Sequence, residues 1–163
     1  MNVPIKYQCE IVDVQFGENV KIVEPANIYG CTIGNNCFVG PFAEIQKDVI
    51  IGNNTKVQSH TFICELVTIG NDCFIGHGVM FINDLFGGGG PARGDKSKWK
   101  STKIGNNVSI GSNATILPIE ICDNVVIGAG AVVTKDITES GVYVGNPAKF
   151  IKHIKINALN ALE

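Results

Sequence analysis

From Ile33 to Phe81 an aliphatic residue or a phenylalanine returns at every sixth position, through Val39, Ile45, Ile51, Val57, Ile63, Ile69 and Ile75. The fifth residue of each unit is small or β-branched, as at Cys37, Ala43, Val49, Thr55, Thr61, Val67, Cys73 and Val79. Polar or turn-forming pairs lie between them, such as Asn35-Asn36, Lys47-Asp48, Asn53-Asn54 and Asn71-Asp72. A period of six fits neither a 3.6-residue helix nor a plain two-residue alternation; it is a short strand and a turn, repeated. The predicted fold is therefore all-β, a β-helix solenoid whose coil takes 18 residues, three units of six. One such coil buries nothing alone and needs its neighbours stacked on it.

After an irregular opening to Gln15, the spacing starts at Phe16, Ile22 and Ile28, then takes one five-residue step to Ile33. It resumes at Ile104, Ile110 and Ile116, shortens again through Leu117-Pro118-Ile119-Glu120, and ends at Ile121, Ile127 and Val133. Between Phe81 and Ile104 lie 23 positions where the period needs six, so 17 residues are inserted at one corner. The resulting loop, 84–103, is a long excursion on a rigid scaffold, which is where function usually sits. Its tip is Phe86-Gly87-Gly88-Gly89-Gly90-Pro91, and its descending arm carries Arg93, Lys96, Lys98, Trp99, Lys100 and Lys103. Two readings fit this concentration of positive charge: a site for a phosphate-bearing ligand, or a solvated mobile loop.

Beyond Val133 the repeat stops. The segment 142–163 reads as a cap over the last coil, with Val142-Tyr143-Val144-Gly145 extended. Asn146-Pro147 would then open a short C-terminal helix whose apolar face is Phe150, Ile151, Ile154 and Leu159. No Pro/Ser-rich or charge-run linker interrupts residues 1–163, which reads as a single domain.

Composition changes this picture little. Aromatics at 7% and charged residues at 17% suit a narrow core of Ile and Val, and a net charge of -2 gives no reason to expect nucleic acid. The first residues lack the basic region and apolar run of a secretory signal, and no stretch approaches the roughly 18 apolar residues of a membrane span. The expectation is a soluble cytoplasmic protein with no membrane partner. Of the six cysteines, Cys37 and Cys73 lie two coils apart, roughly 10 Å at the stacking distance of strands, so they read as buried thiols and not as a disulfide.

The chain has no Walker loop, no Gly-x-Ser-x-Gly elbow and no Cys-x-x-Cys pair. Polar candidates gather near the insertion. His60 and His77 come from successive coils and should project from neighbouring levels of one face. Asn83 repeats the unit position of His77 just before the loop leaves, with Asp84 beside it, so the spacing predicts His77, Asn83 and the basic loop around one corner. Each residue also has a plainer role. His60 suits the surface or an interface, Asn83-Asp84 can start the loop turn, and Glu65 can face a ligand or solvent. Trp99 can stack on a base or anchor the loop. A zinc hydratase would need three convergent imidazoles, and His153 lies in the tail away from the other two; no metal is expected.

With these residues in view, the chain resembles the hexapeptide-repeat acyltransferases over nearly its whole length. Gly145-Asn146-Pro147-Ala148 and the run Ile127-Gly128-Ala129-Gly130-Ala131-Val132-Val133-Thr134-Lys135-Asp136 carry that likeness. More narrowly it resembles the N-acetyltransferases that act on an amino group of a dTDP- or UDP-linked deoxyhexose. That match rests on Ser59-His60-Thr61-Phe62-Ile63-Cys64-Glu65, on Ile75 to Asp84 and on Ser109 to Pro118. The resemblance implies a left-handed β-helix and a homotrimer with acetyl-coenzyme A held between two subunits. It also implies an amino sugar destined for surface polysaccharide, with a dTDP-linked 3-amino-3,6-dideoxyhexose favoured. By the same resemblance Asn83 would bond the acceptor amine and His77 would border the reacting centre, where it can serve as general base. Gly111 and Ala129 would line the pantetheine, and Lys135, Lys149 or Lys152 would meet the coenzyme's phosphates, with Arg93 as a competitor. His60, Glu65, Asp84 and Arg93 complete the acceptor-side candidates, and Trp99 joins the coenzyme side. Alternatives are a sugar O-acetyltransferase, which would lean harder on His77, and a non-catalytic β-solenoid used for assembly.

Overall fold

The computed structural model describes residues 4–5 and 10–154. Its strands are two to four residues long and stack in parallel into sheets of seven, six and eight strands, apart from one antiparallel pair at the end. The chain visits the sheets in strict rotation. Asn27–Tyr29 lies in the seven-stranded first sheet, Thr32–Ile33 in the six-stranded second and Phe38–Val39 in the eight-stranded third, before Glu44–Ile45 returns to the first. Each six-residue unit is thus one side of a triangular coil, the architecture of the left-handed hexapeptide β-helix.

Coil length follows the spacing. Phe38 pairs with Lys56 and Phe74 with Lys56, 18 positions apart, whereas Ile28 pairs with Ile45 and Ile110 with Ile127, 17 apart across the two short steps. Val67 pairs with Thr102, so the 17 inserted residues leave and rejoin without disturbing the stack. At the first short corner Gly30 has φ +59, and a Cβ there would stand 2.8 Å from that of Lys47, which leaves glycine as the residue that fits.

The residues that open each unit point inward. Ile28, Ile33, Ile45, Ile63, Ile75, Ile110 and Ile116 are wholly buried, and sealing each away from water contributes roughly 1.5–3 kcal/mol. The corner between the second and third sheets is held by stacked asparagines. The Asn53 side-chain oxygen accepts from Asn35 N at 2.8 Å, Asn71 serves Asn53 in the same way, and Asn106 serves Asn71 at 2.9 Å. Neighbouring Asn36, Asn54, Asp72 and Asn107 adopt left-handed φ between 56 and 58°, which Asn and Asp tolerate best among side-chain-bearing residues. Cys37 and Cys73 stand in one column with Thr55 between them, Thr55 Oγ1 accepting from Cys73 N at 3.1 Å, and both thiols are free. Burial pushes the Cys64 thiol up to about 12 and that of Cys31 up to about 11, so neither is a nucleophile near neutrality.

Two expectations need correction. The opening is more regular than its sequence, because Ile11–Val12 is already a strand paired with Asn27–Tyr29. The short C-terminal helix expected after Asn146-Pro147 does not form: Lys149–Lys152 is a strand, antiparallel to Gly141–Val144. The apolar spacing of Phe150 and Ile151 suited a helix face, but the last coil presents an open row of backbone groups, and pairing with it satisfies more of them than a helix lying above would. Leu159 lies outside the described residues. Among those residues no helix is long and apolar enough to cross a membrane.

Candidate functional site

His77 lies on the corner where the chain passes from the third sheet to the first. It is exposed, and its Nδ1 stands 2.8 Å from Ser59 Oγ of the coil beneath. Ser59 is the residue 18 positions earlier, so the contact follows from the stacking register; that signal was present in the sequence and went unused. In the tautomer that donates Nδ1–H to Ser59 Oγ, Nε2 keeps its lone pair and can accept a proton; in the other, Ser59 donates to Nδ1 and Nε2 carries the hydrogen. His60 shares this corner one level down, but its ring packs on Phe42 at 4.9 Å between centroids. The same corner continues upward through Gly111 and Ala129, linked by Asn113 N to His77 O and Gly130 N to Ser112 O, both at 2.8 Å. A Cβ on Gly111 would run into the backbone of Ala129, so glycine keeps these coils close.

Asn83 does not share that corner. It follows the Met80–Phe81 strand and sits at the corner between the first and second sheets. The expectation of one corner fails for a geometric reason: a full unit of six separates His77 from Asn83, and one unit is one side of the triangle. Equivalent positions in successive units therefore stand at successive corners of one level. Asn83 Nδ2 donates to Glu65 O at 3.2 Å, which fixes the amide orientation and leaves Oδ1 to accept from a ligand. Its own carbonyl accepts from Lys100 N at 2.9 Å and pinches the loop shut at the base.

Within the loop, Asp84 is a brace. Its two carboxylate oxygens accept from Phe86 N at 2.9 Å and Ala92 N at 2.7 Å. Asp95 accepts from Ser97 Oγ at 2.6 Å, and that hydrogen bond holds its carboxyl below the usual range. Glu65, expected to face a ligand or solvent, instead bonds Lys96 Nζ at 2.6 Å with its side chain only 12% exposed. Lys96 also lies 5.3 Å above the Trp99 ring, so Trp99 anchors the loop through this cation. Tyr29 lies close by, and burial together with the Glu44 and Glu65 charges raises its phenol. The ion pair latches the loop to the coil below. Glu65→Gln should remove about 1 kcal/mol of that hold and raise limited proteolysis within Gly87–Gly90 about five-fold; an unchanged cleavage rate would mean that Asp84 and the backbone pinch suffice.

Of the remaining candidates, Arg93 lines a hollow inside the loop together with Asp84, Lys98 and Lys100. Lys135 and Lys149 line a second hollow with Pro147 and Tyr143 at the end of the solenoid. Lys152 closes the last strand and lies outside that hollow. Among the described residues no group of three or more His, Cys, Asp or Glu is placed to hold a metal ion.

Residues 30–65 match the family model for the bacterial transferase hexapeptide (six repeats), and residues 101–135 match that for the hexapeptide repeat of succinyl-transferase. Over those two stretches the chain is similar to the hexapeptide-repeat transferases. This hexapeptide-repeat chain is 36% identical over 150 residues to the bifunctional protein GlmU of Streptococcus uberis, a match covering 87% of the chain but only 32% of that relative. It thus spans about a third of the length of that curated relative. Among solved structures, a maltose O-acetyltransferase from Clostridium difficile 630 is 29% identical with a TM-score of 0.53, covering 86% of this chain and 70% of that one. A hexapeptide-repeat acetyltransferase from Vibrio cholerae O1 biovar eltor, complexed with acetyl coenzyme A, is 25% identical with a TM-score of 0.64, covering 77% and 72%.

Proposed function

We propose that this chain transfers an acetyl group from acetyl-coenzyme A to the amino group of a nucleotide-linked sugar. A dTDP-linked 3-amino-3,6-dideoxyhexose is the first candidate, and the site is completed between neighbouring copies of a homotrimer. The likeness to a repeat acetyltransferase complexed with acetyl coenzyme A supports the donor. The two-corner geometry supports the trimer: His77 and Asn83 stand at opposite ends of the Met80–Phe81 strand, so side-by-side packing of triangular coils can bring His77 of one copy to Asn83 of the next.

One observation carries the choice of an amine. Glu65 O holds Asn83 Nδ2 and leaves Oδ1 as an acceptor, and with His77 in the tautomer that donates Nδ1–H to Ser59 Oγ the site offers a second acceptor, Nε2. A neutral amine has two protons, one to donate to Asn83 and one to yield to His77, while its lone pair attacks the thioester. A hydroxyl has one. In the reaction the C–N bond forms, an oxyanion develops and collapses, the C–S bond breaks, and coenzyme A departs as the thiolate. Orientation in the groove and a backbone N–H aimed at the oxyanion supply the rest of the catalysis. Gly111 and Ala129 run upward from His77 and suit the pantetheine arm, and the hollow of Lys135 and Lys149 suits its phosphates.

The second reading, O-acetylation of a sugar hydroxyl, draws on the likeness to a maltose O-acetyltransferase. Thiol release from acetyl-coenzyme A, measured with dTDP- and UDP-amino sugars beside their hydroxyl counterparts, separates the two. We expect release with an amino sugar and none with its hydroxyl analogue. Release with the hydroxyl compound alone establishes the second reading, and silence with both sinks acetyl transfer to nucleotide sugars.

A further inference from the structure

The loop's positive charge is unevenly committed. Lys96 is taken by Glu65 and Lys98 lies 3.6 Å from Asp95, whereas Arg93 and Lys100 have no carboxylate partner among the described residues. Both line the loop hollow, whose other walls include the backbone of Gly87–Gly90. The single carboxylate of the hollow, Asp84, is already occupied by two backbone N–H groups. A Cβ built on any of the four glycines meets nothing within 4 Å, so bare peptide faces open space. The Gly89 N–H closes a turn on Phe86 O at 2.8 Å, leaving the Gly88 and Gly90 amides without a partner among the described residues. Two uncommitted cations beside unpaired backbone donors make a receptor for a compact group with two negative charges.

We propose that this hollow binds the diphosphate of a nucleoside diphosphate-linked acceptor, with Arg93 and Lys100 as its two counter-charges. The proposal deepens the acetyl-transfer reading by giving the acceptor's phosphates a place. Coenzyme A carries a diphosphate too, and position decides between them. The hollow begins at Asp84, next in the chain to Asn83, the residue proposed to receive the amine. In a nucleotide sugar only the pyranose ring separates the diphosphate from such an amine. In acetyl-coenzyme A the full pantetheine arm separates the diphosphate from the thioester, which matches the more distant Lys135 and Lys149.

Trp99 is the only tryptophan of the chain and lies between Lys98 and Lys100, so its emission reports on the hollow. The full chain, Arg93→Ala, Lys100→Ala and the remote control Lys56→Ala would be titrated with inorganic pyrophosphate, dTDP and coenzyme A. Calorimetry serves as a second readout that does not depend on Trp99. We expect pyrophosphate and dTDP to bind the native chain, each loop variant to weaken both about 10-fold or more, and Lys56→Ala and all coenzyme A affinities to stay unchanged. Failure of pyrophosphate and dTDP to bind by either readout overturns the proposal. So does a loss confined to coenzyme A, which would assign the hollow to the donor, or equal loss in Lys56→Ala, which would reduce the effect to general charge. Diphosphate binding by this route in a protein that releases no thiol with any sugar would uphold the hollow and remove the acetyl-transfer reading alone.

Discussion

Replacing His77 by asparagine should lower kcat with the amino sugar about 100-fold or more, the range expected when a positioned proton acceptor is lost. Asparagine can still meet Ser59 through its amide but cannot take a proton at the place of Nε2. His77 is exposed and forms no part of the buried core, so the thermal midpoint should stay within the small range of surface substitutions. KM for the sugar should move little, since the contact proposed to hold the amine comes from Asn83. A fall of only a few-fold would leave His77 as a lining residue and assign proton removal to solvent or to the departing thiolate.

The second large effect is on stability. Phe81 is 1% exposed, closes the Met80–Phe81 strand and pairs with Ile116 of the coil above. Phe81→Ala should cost about 3–5 kcal/mol, seen by calorimetry as a midpoint lowered on the order of 10 °C. The strand joins the His77 corner to the Asn83 corner, and each coil of a solenoid leans only on its neighbours. The cavity should therefore loosen both ends of the proposed site, and activity should fall with the midpoint below the unfolding range. A shift under about 2 °C would show that Ile63 and Ile116 close over the space, which the stiff packing of protein interiors opposes.

The solenoid was legible because its signal is cumulative: one Ile says little, but a dozen at a fixed spacing leave no competing period. Even the two 17-residue coils followed from counting. The site was legible only in part. His77 and Asn83 share a position within the unit, and reading that as a shared corner overlooked that a unit advances the chain by one side. Carrying the coil period through would have paired His77 with Ser59 and Asn83 with Glu65, as the structure does. The Glu65–Lys96 bond was beyond reach, because it joins a periodic coil to an aperiodic loop whose path no spacing constrains. The tail failed differently. Phe150 and Ile151 fit a helix face and a strand equally well, and the choice was made by an unfilled edge that the tail's own residues do not reveal.

That edge has a consequence for how many molecules stick together. A stack of parallel strands ends in backbone groups with nothing above them, and another molecule's first coil would fit there as well as its own next one. Here all three sides are closed. Lys149–Lys152 runs antiparallel against the third sheet, Ile137 bridges to Ile121 on the second, and Val132 N and O bond Gly145 O and Ala148 N on the first. A strand laid the opposite way, with a lysine at each end, offers an incoming coil neither the direction nor the charge it needs. The tail thus works as a terminator of polymer growth, keeping a module built for stacking from adding to itself end over end into fibres.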